Sequence, residues 1–187
     1  MFREWRKSKG FRIATYFTGM LQFAFPPYAI AQSSDAQIVL DGRTNTNLII
    51  NQNVTDVYTS TVLGHTGFNS FSIFNVYEGN EVNLFLPDGA TALMNMVHNQ
   101  QTVIDGYLNA FKDGKIGGDV FFLNPHGVVV GKTGVMNVGS AKLITPTQDF
   151  MTNMFGANGM ISAPQVTRVQ DRIYPYHLMA LSQSEAR

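Results

Sequence analysis

The sequence predicts an all-β fold on three observations. Short apolar stretches rich in Val, Ile, Phe, Tyr and Thr recur along the chain, separated by Gly, Asn, Asp and Pro. Two proline corners, Leu86-Pro87-Asp88-Gly89 and Asn124-Pro125-His126-Gly127, each follow directly on an apolar stretch. Asn crowds the ends and edges of these stretches (Asn45, Asn47, Asn51, Asn53, Asn69, Asn75, Asn83, Asn124, Asn137). Regular short strands with frequent corners allow a sandwich, a barrel or a parallel β-helix. Asn tolerates left-handed corners and stacks in ladders between successive coils, which favours the β-helix.

A chain of 187 residues that is 44% hydrophobic has room for one domain and apolar surface enough for a real core. Its formal net charge is zero, but the charge is unevenly placed. Of thirteen basic residues, Arg3, Arg6, Lys7, Lys9 and Arg12 lie in the first twelve positions, opposed there by Glu4 alone. The rest carries eight basic residues against twelve acidic ones, scattered, which excludes the clustered cations that nucleic-acid binding needs. Cysteine is absent, so there is no disulfide, thiolate metal site or cysteine nucleophile. The same absence suits a chain that must stay unfolded while crossing an oxidising compartment.

The N-terminus has the three parts of a secretory signal peptide. The basic segment 3–12 precedes an apolar run, 13–25, and Ala29-Ile30-Ala31 supplies a small-residue cleavage site followed by Gln32. Pro26 and Pro27 break the apolar helix just upstream. This thirteen-residue run falls short of the ~20 that a membrane-spanning helix needs. Residues 1–31 are therefore read as a signal peptide cleaved after Ala31, and no transmembrane segment is expected in the mature chain.

From Gln32 the expected strands are 37–40, 48–51, 54–59, 70–76, 82–86, 102–108, 120–123, 128–130 and 135–138. Several alternate in polarity, whereas Val128-Val129-Val130 is continuous and reads as buried on both faces. Residues 90–98 carry the main helical pattern, with Ala92, Leu93, Met96 and Val97 on one face, although a loop with a helical turn fits as well. Short helices are also expected at 149–155 and 176–183. The corner 124–127 follows type I turn preferences: Asn first, Pro second, Gly fourth.

Sites of chemistry are sparse. His65, His98, His126 and His177 show no HxH or HExxH spacing. Glu78 and Glu81 flank a Gly79-Asn80 turn, where solvated charges belong. Asp113 and Asp119 sit in a glycine-rich loop that precedes a strand rather than a helix, so it is no phosphate loop. Ser140 lacks a nucleophile elbow, and Met94 and Met96 read as core filler. Neither a catalytic residue nor a cofactor or metal site is expected.

Three motifs carry a family resemblance. The run Gly64-His65-Thr66-Gly67-Phe68-Asn69-Ser70-Phe71-Ser72-Ile73-Phe74-Asn75-Val76 resembles a signature G-x-S-x-N-x-F-x-x-F-N-V. The run Val120-Phe121-Phe122-Leu123-Asn124-Pro125-His126-Gly127-Val128-Val129-Val130-Gly131 resembles V-F-L-I-N-P-N-G-I-x-F-G, with His126 replacing the usual Asn. Val135-Met136-Asn137-Val138-Gly139-Ser140 resembles a-x-V-N-V-G-G. Together, from about 36 to 147, they resemble the two-partner secretion (TPS) domain of filamentous haemagglutinin-like exoproteins. A further family tetrapeptide, NPNL, is missing; Asn51-Gln52-Asn53-Val54 stands as a remnant of it.

The resemblance implies a right-handed parallel β-helix, a single-chain solenoid with an N-terminal cap, over residues 32–150, with 151–187 as an extension of uncertain role. It implies export through the periplasm to the cell surface or medium, and recognition of the incompletely folded chain by the POTRA domains of an outer-membrane transporter. Asn69, Phe71, Phe74 and Asn75, with Asn124, Pro125, His126 and Gly127, are the expected recognition residues, serving as core and corner once folded. The chain then reads as the secretion-signal domain of an adhesin that meets host-cell receptors or carbohydrate, and as a fragment, a truncated product or a short stand-alone member. A haemolysin or haem-binding exoprotein using the same export domain is one alternative. A β-helical carbohydrate-active enzyme is another, separable by acids clustered on one face.

Overall fold

The computed structural model describes residues 36–161. The expected signal peptide, with Ala29 and Ala31, and the expected helix at 176–183 lie outside them. Fourteen strands and one short helix follow in order: β1 (Gln37–Leu40), β2 (Thr46–Asn51), β3 (Val54–Thr59), β4 (Val62–Leu63), β5 (Thr66–Val76), β6 (Glu81–Phe85), β7 (Ala92–Val97), β8 (Thr102–Ile104), β9 (Tyr107–Lys112), β10 (Lys115–Ile116), β11 (Asp119–Leu123), β12 (Val128–Val130), β13 (Val135–Asn137), β14 (Ser140–Ile144) and α1 (Gln148–Thr152).

Their pairing makes a β-solenoid of about three turns. Strands β3, β6, β9 and β13 stack in parallel as one face. The first part of β5 stacks on β7, β11 and β14 as a second face. The end of β5 stacks on β8 and β12 as a third. Strand β5 serves two faces because it bends: in its pairing with β1, Val39 faces Ile73 and Leu40 faces Phe71, so Ser72 is left out as a bulge. The bend turns both Phe71 and Phe74 inward despite their odd spacing, and both join the central core with Val57, Leu84, Leu93, Leu108 and Phe122.

Antiparallel pairing is confined to the cap and to hairpins. β1 and β4 pair antiparallel with β5, and β2 with β3, closing the N-terminal end of the described coils. Residues 51–54, expected as a motif remnant, are the two-residue hairpin joining β2 to β3, with Gln52 at φ +54°. The glycine-rich segment after β9 is likewise a hairpin: Lys112 pairs with Lys115, and Asp113-Gly114, both at positive φ, make the turn.

Three expectations need correction. Residues 90–98 hold strand β7 rather than a helix or a loop. Leu93 and Val97 enter the central core while Ala92, Met94 and Met96 enter a second apolar cluster outside it, so both faces of the strand are apolar and its periodicity imitates a helix. The expected strand 102–108 is two strands, β8 and β9, broken at Asp105-Gly106, whose amides both donate to Val76 O (2.7 and 2.9 Å). Val128-Val129-Val130 lies on the last complete coil among the described residues, and Val129 and Val130 are about 40% exposed rather than buried. At the other proline corner the turn bond runs from Ala90 N to Pro87 O (2.9 Å), so that turn begins at Pro87.

The second cluster explains α1. Phe68, Met94, Met96, Phe121 and Leu123 point out of the solenoid and are covered by Met151 and Met154 from the segment beginning at α1. Thr147 caps that helix, its hydroxyl accepting from Phe150 N, as a threonine at a helix N-cap does.

Candidate functional site

Asn124 directly follows β11 at the corner where the chain turns from the second face to the third, and it is fully buried. Its Nδ2 donates to Gln100 O (2.9 Å) and to Thr102 Oγ1 (3.0 Å) on the coil beneath. Its Oδ1 accepts from His126 N (2.8 Å), and its carbonyl accepts from Gly127 N (3.0 Å). The side chain thus closes its own turn and ties that turn to the preceding corner. Gly127 sits at φ +87°, a conformation costly for any residue with a Cβ. His126 is exposed; its Nε2 lies 3.0 Å from His98 O, fixing the imidazole across the coils. Pro125 and Gly127 are half-buried. The four corner residues are therefore unequal: one is interior, and three reach solvent.

The expected recognition residues of the first motif are interior. Asn69, Phe71 and Phe74 have no exposed surface, and Asn75 has almost none. Phe71 packs edge-to-face on Phe74, and Phe74 on Phe122, with ring centroids 5.0 Å apart in each pair. Asn69 accepts from Thr46 Oγ1 (2.9 Å) and donates to Asn95 Oδ1 (3.0 Å), and Asn95 donates to Phe121 O (3.2 Å). This polar ladder joins the cap to three successive strands of the second face. Asn75 Oδ1 accepts from Val103 N (2.9 Å) on the third face.

A second ladder runs on the outer side of the first face. Asn137 donates to Asn109 (2.8 Å), Asn109 to Asn83 (2.9 Å), and Asn83 to Asp56 (2.9 Å), while Asn109 also donates to Glu81 Oε1 (2.9 Å). Beside it Tyr58, Phe85 and Phe111 stack nearly face to face at 4.5 and 5.2 Å. The abundance of Asn signalled such ladders. Asn95 and Asn109 escaped that reading, Asn95 because it fell within the segment with a helical pattern.

The acids considered for hydrolytic chemistry are spread out. Glu81 is occupied by Asn109, and Asp119 accepts from Ser140 Oγ at the next coil. Among the described residues no group of three His, Asp or Glu side chains is placed to hold a metal ion. No described helix is long and apolar enough to cross a membrane. One polar cluster had no signal in the sequence, because its members are far apart along the chain: Asp41, Ser70 and His98 meet at the edge of the cap.

Residues 36–171 match the family model of the TPS secretion domain, from the first described strand past α1. Neither a curated protein nor a solved structure matches the chain. A match over most of the chain, on a solenoid whose coils and corners hold the motif residues, fixes its family: the chain belongs to the TPS secretion domain family, the export domains of two-partner secretion exoproteins that act with a cognate outer-membrane transporter.

Proposed function

We propose that this chain is the N-terminal secretion-signal domain of a filamentous haemagglutinin-like adhesin, with residues 1–31 removed as a signal peptide during passage to the periplasm. Residues 32–150 are then the domain that the POTRA domains of its transporter recognise, and 151–187 form an extension to it. The product acts in adhesion at the cell surface, on host receptors or carbohydrate. The observation that carries the recognition step is the burial of the motif. Asn69, Phe71, Phe74, Asn75 and Asn124 are enclosed in the folded solenoid. A transporter that reads them must read the chain before it closes, when extended segments can add to a sheet edge of the receptor. Once outside, each coil packs mainly on its neighbour, so folding proceeds coil by coil and opposes return through the pore.

The corner 124–127 separates recognition from structure. Asn124→Ala removes two donors and one acceptor from a buried site, a loss of about 1–3 kcal/mol, so its effect on export mixes both roles. Pro125→Ala touches a half-buried ring and costs only about 0.4–1 kcal/mol through the unfolded chain. Export by the cognate transporter and thermal stability are measured side by side for each variant. We expect Pro125→Ala to lose export out of proportion to its small loss of stability. Export that follows stability in both variants would leave the corner a purely structural role.

A further inference from the structure

Three parts of the chain meet around His98. Asp41 and Arg43 belong to the loop between β1 and β2, in the cap. Ser70 lies in β5, and His98 directly follows β7. Phe155 comes from the segment after α1. Ser70 Oγ donates to Asp41 Oδ2 (2.7 Å) and lies 3.0 Å from His98 Nε2, which is itself 3.4 Å from Asp41 Oδ2. A serine hydroxyl has one proton. Once that proton is given to Asp41, Nε2 must carry the hydrogen in the bond between Ser70 and His98. The Phe155 ring lies 5.6 Å from the imidazole, with the Arg43 guanidinium 4.7 Å over the same ring. Arg43 Nε stands 3.8 Å from Asp41 Oδ2. This is not a nucleophilic triad: Ser70 is fully buried, and both partners approach the same ring nitrogen.

We propose that Asp41, Ser70 and His98 form an acid-released latch, which holds the cap loop and the Phe155 segment on the solenoid while His98 is neutral. A neutral imidazole with its hydrogen on Nε2 completes the chain from His98 through Ser70 to Asp41. A second proton adds a positive charge in a largely buried position. The charged groups facing it are Asp41, which favours that charge, and Arg43, which opposes it; Phe155 and Ser70 are neutral, and His126 approaches the His98 carbonyl. Burial outweighs Asp41 and, with a smaller contribution from Arg43, holds the imidazole below its ordinary value of 6.5. The folded chain thus binds this proton more weakly than the opened one. The latch contributes fully above pH 6.5, and its contribution is lost as pH falls from there through the lower folded value.

The test is an NMR titration of His98 in the full chain, with amide-exchange protection of Val39, Leu40 and Met154 measured at each pH after correction for intrinsic exchange. His98 is expected to titrate below 6.5, and protection at these amides to fall by up to about tenfold per pH unit in that window. In His98→Gln, which keeps a donor but does not titrate there, protection is expected to be flat with pH. His98 titrating at or above 6.5, or His98→Gln retaining the wild-type pH dependence, overturns the proposal. If His98→Gln fails to fold, the wild-type titration decides alone: amide shifts of the cap must move with His98, and cap amides that stay still contradict the latch.

Discussion

Phe71 shows how much one side chain carries in this fold. It is fully enclosed between the bend of β5 and the core, with its ring edge-to-face against Phe74. Phe71→Ala removes a large buried ring that the rigid coils cannot fill, and a loss of about 3–5 kcal/mol is expected in chemical denaturation. Against a total domain stability of roughly 5–15 kcal/mol, that leaves a marginal solenoid. A loss under about 1 kcal/mol would mean that the bend repacks and that Phe71 is not a pillar of the first coil. At this scale the sequence was informative about identity and poor about position. Asn69, Phe71, Phe74 and the corner were visible as motif residues. Nothing in the sequence distinguished the interior Asn124 from the solvent-reaching Pro125 and His126, because that difference comes from the coil beneath, through Gln100 and Thr102. The meeting of Asp41, Ser70 and His98 was likewise illegible, since solenoid winding sets it rather than any local pattern.

Elements are decided at the corners. Gly106 ends the two-residue connection between β8 and β9, and a Cβ there would stand 2.5 Å from Tyr77 O, closer still to Asn80 O, and 3.0 Å from Val76 Cγ1. Two of those three atoms are backbone of the preceding coil and cannot yield separately. Gly106→Ala is therefore expected to lower stability by about 3 kcal/mol, seen as a shift in the denaturation midpoint at unchanged slope. A midpoint equal to wild type would show that successive corners are not in close contact. The same corner carries a turn signal of its own, Asp105-Gly106, which the strand-forming residues on either side outweighed when 102–108 read as one strand. β7 misled for the opposite reason. A strand between an inner core and an outer cluster has no polar face, so alternation, the usual mark of a strand, is erased. Strands with one wet face, such as β1 and β3, were legible to the residue.

Across the whole molecule, parallel coils and an antiparallel cap divide the work. The cap strands close the N-terminal end, and two asparagine ladders tie coil to coil, one inside and one outside. The all-β class and the frequent corners were readable from composition and turn chemistry. The choice of a solenoid over a sandwich rested on Asn and on the motif resemblance, because residue alternation alone cannot say which strands will pair. The outer cluster under α1 was not foreseen, since it depends on a chain segment folding back over the second face.

The central claim is that the transporter reads this domain before it closes, and binding to the cognate transporter's periplasmic domains tests it most directly. Those domains are presented with the chain kept unfolded in dilute urea and with the fully folded chain, in the same buffer. The buried motif predicts clear binding to the unfolded chain and at least about tenfold weaker binding, some 1.4 kcal/mol, to the folded one. Equal or tighter binding to the folded solenoid would contradict the account and move recognition to its surface.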